Sequence, residues 1–303
     1  MGGGRWTSKD WDNYSHKKGI TQQSTVHQIY KSSHMQDSLN PLGVKYRESC
    51  DSKDNPHSTA VILGLDVTGS MGDLSETIAK GALNVTINEI YDKKPVTDPH
   101  VLIAAIGDAY SDSAPLQVTQ FEADIRLAEQ LTNIYFEGCG GGNGGESYLA
   151  LWYFAARHTK IDCYEKEHRK GFLFTIGDEP NHKVLTKEQI KEIFGDDVER
   201  DLTAEELLTE VSRQYEVFHF VVHNYGHYDS LKKWKVLLHE RAMDVVDIDK
   251  IPQIIVSTME VLGGKDVDTV AAQWNGDTEI AVRTAIGGLS TVNQSKELVE
   301  FDE

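Results

Sequence analysis

Between Val61 and Gly72 the chain reads V-I-L-G-L-D-V-T-G-S-M-G. Oxygen-bearing side chains fall at alternate positions: Asp66, Thr68 and Ser70. One carboxylate with two hydroxyls is a hard donor set. It suits a Mg²⁺ ion that keeps several waters, and the same oxygens accept Mn²⁺ or Ca²⁺. A buried carboxylate without a partner is costly, so a bound cation would stabilise Asp66. Helix capping is the competing explanation, since each of the three could accept backbone N–H bonds. A cap, however, needs one oxygen and not three in alternation.

Two further segments have the same character. Gly138 to Ser147 reads G-C-G-G-G-N-G-G-E-S. Glycine at this density lets backbone approach a ligand closely. No Gly-Lys-Ser/Thr follows, so it is not a phosphate loop; a flexible linker is the bland alternative. Phe172 to Ile176 is an apolar run that ends in Gly177-Asp178, with Pro180 and His182 beyond. Asp178 is expected one step out from the ion, orienting waters and hydroxyls. His182 is expected to fix its loop, and Asp108, after the second strand, to stabilise its own. His223 and His227 stand four apart, but Gly226 and the strand end argue against the helix a two-histidine metal site needs.

These motifs resemble the von Willebrand factor type A (vWA) family and its metal-ion-dependent adhesion site. The family's first motif is Asp-x-Ser-x-Ser or Asp-x-Thr-x-Ser, often followed by Met and Gly, as Met71 and Gly72 are here. One subgroup carries Gly-Gly-Gly-Asp-Gly-Pro-Glu before an apolar helix. Asn143 stands at that Asp and Gly145 at that Pro. The wider family supplies a loop Thr as third ligand. This chain has none there, so Asn143 could supply a neutral oxygen, or Ser147 could substitute through water. The resemblance spans about Ser58 to Gly264. It implies metal ligands at Asp66, Thr68, Ser70, Asn143 and Asp178, and one coordination position left for an Asp or Glu of a protein partner. It implies no covalent chemistry. Intracellular members serve as adaptors or scaffolds, sometimes beside AAA+ ATPases.

A second resemblance leads to an enzyme. Asp66-Val67-Thr68-Gly69-Ser70 is close to the Asp-Lys-Thr-Gly-Thr of phosphoryl-transfer ATPases in the haloacid dehalogenase-like superfamily. Gly177-Asp178-Glu179-Pro180-Asn181 is close to their later Gly-Asp-x-x-Asn. Asp66 would then be a nucleophile forming an aspartyl phosphate. Against this, Val67 replaces the usual Lys, position 68 lacks the acid/base Asp, and the glycine-rich loop has no place.

The elements that must carry these loops alternate. Thr59 to Val67, Val101 to Ile106, Leu116 to Phe121, Gly171 to Ile176 and Val217 to Val222 read as strands. Leu74 to Tyr91, Ala123 to Phe136, Tyr148 to His158, Leu231 to Val246 and Ile254 to Leu262 read as helices. Lys187 to Phe194 and Ala204 to Arg213 read as amphipathic helices of an insertion. This order predicts an α/β, Rossmann-like, doubly wound and mostly parallel sheet with helices on both faces. One short antiparallel strand is expected near Leu116. Residues 1 to 57 read as a polar arm, disordered or laid over the domain with its aromatics as anchors. Residues 58 to 264 form the vWA-like domain. Residues 265 to 303 hold two short helices, near Val267 to Trp274 and Thr278 to Ile286, and an acidic tail.

The 303 residues carry a net charge of −18, with 39% hydrophobic and 26% charged content. That balance argues against nucleic acid and against anionic membrane surfaces as partners, since both need clustered Lys and Arg. No apolar run approaches ~18 residues, so no membrane span is expected. Cys50, Cys139 and Cys163 form no C-x-x-C pair, which fits reduced thiols. No apolar signal region follows Met1, and a cytoplasmic location is expected.

Overall fold

The computed structural model describes residues 7–21, 24–69, 83–137, 145–223 and 227–289. Two helices and two strands open it: α1 (Ser8–Lys18), α2 (Val26–Ile29), β1 (Arg47–Ser49) and β2 (Thr59–Asp66). Then come α3 (Leu83–Lys93), β3 (Pro99–Ile106), β4 (Leu116–Val118), α4 (Arg126–Leu131), α5 (Tyr148–Arg157), β5 (Thr159–Ile161), α6 (Asp162–Glu165) and β6 (Gly171–Gly177). The second half adds β7 (Val184–Leu185), α7 (Lys187–Phe194), β8 (Leu202–Thr203), α8 (Ala204–Val211), β9 (Tyr215–Val222), α9 (His227–Leu238) and β10 (Ala242–Val245). Helices α10 (Ile251–Leu262), α11 (Val267–Ala271) and α12 (Asp277–Ile286) follow.

Six strands form the central sheet in the order β10-β9-β6-β2-β3-β4. All neighbours are parallel except β3 and β4, which pair antiparallel with Ile106 opposite Leu116. This is the expected fold class, short antiparallel strand included. Every residue of β2 is buried, as its unbroken Val-Ile-Leu run requires of a central parallel strand. Alternate residues serve opposite faces. Leu63, Leu65, Ile103, Phe174 and Phe218 pack on one side with Ile87, Ile90, Ile255 and Met259 of α3 and α10. Ile62, Leu102, Leu173 and Val217 pack on the other with α5, α7 and α8.

Helix α5 is apolar all round and is buried from Tyr148 to Ala155, because it lies between the sheet and a second layer. Its close approach depends on Gly64: a Cβ there would sit 2.3 Å from Leu151 Cδ2. The second layer is the insertion. Thr186 with Gln189, and Thr203 with Glu206, make reciprocal capping boxes that start α7 and α8. The β7–β8 pair joins them.

Three expectations are corrected. Leu231 to Val246 does not run as one helix. Helix α9 stops at Leu238, His239 turns the chain at φ +53°, and Ala242 to Val245 becomes the edge strand β10. Ala123 to Phe136 shortens to α4. The polar arm, where the sequence shows no periodicity, contains α1, set by a Thr7–Asp10 capping box and closed by Gly19 at φ +69°. Tyr14, Ile29, Tyr30 and Leu39 of this arm are buried in the core, and β1 pairs parallel with β5. The first part of the predicted helix Leu74 to Tyr91 lies outside the described residues. So does the acidic tail from residue 290 onward. No helix of the described residues is long and apolar enough to cross a membrane.

Candidate metal centre

Parallel register brings three strand ends to one edge. Asp66 closes β2 opposite Ile106, Gly107-Asp108 follows β3, and Asp178 follows β6. From β2 the chain proceeds to β3 on one side, while β6 leads to β9 on the other. The order therefore reverses at the β2–β6 crevice, the position where open α/β sheets place ligands. Asp66 and Asp178 flank that crevice, and both are buried, at 1% and 4% exposure.

Asp66 is held on both oxygens. The Thr68 backbone N–H and hydroxyl donate to Oδ1 at 2.9 and 2.6 Å. The Tyr148 hydroxyl donates to Oδ2 at 2.8 Å. Burial pushes the carboxyl up to about 7, with the negative charge of Asp178 adding to it and the Thr68 and Tyr148 bonds opposing it. Burial, with the neighbouring Asp66 charge behind it, likewise raises the Tyr148 phenol well above its usual range. Gly177 makes room for this contact. A Cβ there would lie 1.9 Å from the Tyr148 hydroxyl and 2.9 Å from Asp66 Oδ2.

The remaining predicted ligands divide. Thr68 is at the site and is buried. Ser70 and Asn143 lie outside the described residues. Ser147, the alternative loop donor, bonds to the segment that follows β3. Its oxygen accepts from the Ala109 N–H at 2.8 Å, and its hydroxyl donates to Asp108 Oδ1 at 3.4 Å.

Asp108 is fully buried and organises the rim. It accepts from the Tyr110 N–H at 3.2 Å and the Ser111 hydroxyl at 3.0 Å. His182 Nε2 meets its Oδ1 at 3.0 Å. A Glu146–Asn181 bridge then joins the end of the glycine-rich loop to the segment after β6. The Glu146 N–H donates to Pro180 O at 3.0 Å, and the His182 N–H donates to Glu146 O at 3.3 Å. Beneath this rim His219 lies stacked on Trp234, ring centres 3.7 Å apart. Its Nδ1 meets the Thr175 hydroxyl at 2.8 Å, and burial lowers its pKa well below the usual histidine value. It is a neutral core residue.

One residue at the centre escaped the sequence reading. Glu146 is fully buried, and neither carboxylate oxygen has a hydrogen-bond partner among the described residues. Burial pushes it up to about 9, with the charges of Asp66, Asp108 and Asp112 adding to the rise and the Thr68 hydroxyl easing it. Its signal in the sequence is the Glu that closes the Gly-Gly-Gly-Asp-Gly-Pro-Glu motif, the position at which Glu146 stands. Among the described residues, no Lys, Arg or His forms an ion pair with Asp66 or Glu146, and no three His, Cys, Asp or Glu side chains form a cage for one ion. A cation here would rest on carboxylate and hydroxyl oxygens together. Of the two histidines four apart, His223 bonds Asp244 through Nε2, and the His227 side chain lies outside what is described.

No family profile and no curated protein matches the sequence. Solved structures with a similar fold include the pilus adhesin SpaC from Lactobacillus rhamnosus GG in its open conformation. That match has a TM-score of 0.45 and 9% identity, over 70% of this chain and 31% of that one. They also include a von Willebrand factor type A protein from Catenulispora acidiphila, with a TM-score of 0.36 and 12% identity over 69% and 44% of the two chains. This chain thus spans less than half the length of these structures.

Proposed function

We propose that this chain is a metal-dependent protein-binding module. In this reading Asp66, Thr68 and Ser70 hold a Mg²⁺ ion, Asn143 supplies a loop oxygen, and Asp178 orients its waters. The ion's contribution is Lewis acidity toward one more oxygen, an Asp or Glu carboxylate from a protein partner. The rest is the work of the chain: Tyr148 and Thr68 fix the rotamer of Asp66, and Asp108 with His182 holds the rim loops in place.

The observation that supports this reading best is Asp66 itself. It is a buried carboxylate at the β2–β6 crevice, hydrogen-bonded but paired with no cation among the described residues. Continuum arguments put the cost of an uncompensated buried charge at several kcal/mol, and a dication would offset it. The donors near Asp66 are oxygens, which favours Mg²⁺, Mn²⁺ or Ca²⁺ over softer ions.

The test is a pull-down with wild type and Asp66→Ala, each with Mg²⁺ and with a chelator, beside calorimetric Mg²⁺ and Mn²⁺ titrations. Partner capture should require both the ion and Asp66, with the fold of Asp66→Ala retained by circular dichroism. Equal capture in chelator would defeat the reading. Stable labelling of Asp66 by a phosphate donor or beryllofluoride would replace it with phosphoryl transfer.

A further inference from the structure

We propose that Glu146 is a second carboxylate ligand of the divalent cation bound at Asp66 and Thr68. The proposal rests on the metal-dependent reading above and names a donor that reading lacks.

Three observations carry it. First, Glu146 is wholly buried and both of its carboxylate oxygens are unpartnered among the described residues. Neither protonation state resolves this. Among the described residues, an ionised carboxylate there has beside it only the Thr68 hydroxyl, whose proton already goes to Asp66 Oδ1 at 2.6 Å, and a neutral acid would carry an O–H with no acceptor within hydrogen-bond distance. Buried polar groups are almost always satisfied, and an orphan of this kind points to an absent ion or water. Second, its surroundings are those of the proposed centre: the charge of Asp66 acts on it more strongly than those of Asp108 and Asp112, and the Thr68 hydroxyl lies beside it. Third, its backbone is fixed on both sides. The N–H is bonded to Pro180 and the carbonyl accepts from His182, so Glu146 is anchored to the segment that follows Asp178 at the sheet edge.

The chemistry balances. Two carboxylates match the charge of one dication, which removes the like-charge conflict between Asp66 and Glu146. Mg²⁺ takes six oxygens and keeps several waters. Asp66, Thr68 and Glu146 fill three of these positions and leave three for water, for a further oxygen of the chain and for a partner's carboxylate.

The experiment is isothermal calorimetry with Mn²⁺ and Mg²⁺ on the full chain, comparing wild type, Glu146→Gln and Asp66→Asn, with circular dichroism to confirm folding. Loss of an outer partner of a metal ligand costs roughly 10–100-fold in affinity, so loss of a direct ligand should cost at least tenfold. The expected result is Mn²⁺ affinity reduced roughly tenfold or more in Glu146→Gln with its fold intact, and lost in Asp66→Asn. If Glu146→Gln binds as tightly as wild type while Asp66→Asn does not, Glu146 is a buried acid only; this proposal falls and the reading of the site stands. If wild type binds neither ion, both fall. Should Glu146→Gln not fold, Glu146→Asp carries the test. Its carboxylate is one methylene short, so weakened binding supports the proposal and unchanged binding overturns it.

Discussion

The Tyr148 hydroxyl donates to Asp66 Oδ2 at 2.8 Å, joining residues 82 positions apart in the chain. Helix α5 and strand β2 meet at this bond at the edge where the candidate ion would sit. It sets the direction of the Asp66 carboxylate, and it does so from a ring that is itself locked against His219 and Trp234.

Replacing Tyr148 by Phe keeps the ring and removes the donor. A hydrogen bond to a charged group contributes about 1.5–3 kcal/mol. The variant should lose about that much in urea unfolding carried out with a chelator at neutral pH. An unchanged midpoint would mean that the phenol does not support Asp66.

Gly177→Ala attacks the same contact from the sheet side. The new methyl would meet the Tyr148 hydroxyl and Asp66 Oδ2 at distances no real Cβ tolerates. Overpacking in a closed core costs about 1–3 kcal/mol. Destabilisation with weakened Mn²⁺ binding is expected. A crystal structure of the variant with Tyr148 still on Asp66 would contradict the steric argument.

The carboxylates give the protein a pH signature. Glu146 is held up at about 9 by burial and by its acidic neighbours, against about 4.3 in an unfolded chain. Between those values the native state keeps a proton that the unfolded state has released. Stability of the ion-free protein therefore falls as pH climbs from about 4 toward about 9. Asp66, at about 7, adds a fall over the lower part of that window. Glu146→Gln removes the first contribution. In chelator, the variant's stability relative to wild type should rise steadily from pH 5 to pH 9. A gap independent of pH in urea titrations would show that Glu146 does not titrate this way.

The N-terminal arm should prove part of the folded unit. Tyr30 is 3% exposed and packs on Phe136 with ring centres 4.4 Å apart. Truncating a buried aromatic costs about 3–5 kcal/mol, so Tyr30→Ala should lower Tm markedly. Full stability in that variant, or in a chain cut at residue 44, would place the arm outside the core.

Much of this architecture was readable because its strands are buried on both faces. Val61 to Leu65 is an unbroken apolar run and Phe172 to Ile176 is apolar but for Thr175, and both are buried throughout as central strands must be. Asp66, Asp108 and Asp178 stood out because each interrupts or follows such a run. Strand β10 was hidden by a coincidence of phase. Ala242 and Val245 continue the three-and-four spacing of Trp234 and Leu238, so they fit the helix as well as the strand they form. The break at His239 depends on a left-handed φ, which a histidine does not announce. Glu146 was missed for a different reason. Its burial follows from the bridge to Asn181, a pairing between distant loops that local sequence does not encode. The arm's helix was missed because α1 has few apolar positions and is fixed by capping and by Tyr14 on the core.

The clearance between Gly177 and the Tyr148 phenol has an evolutionary corollary. The two sites cannot drift independently: a lineage that acquires any side chain at 177 must first give up the phenol at 148, and with it the clasp on Asp66. Distant relatives should therefore split into two camps, Tyr with Gly or neither, and a natural sequence pairing Tyr148 with a bulky residue at 177 would be a sign of a shifted helix.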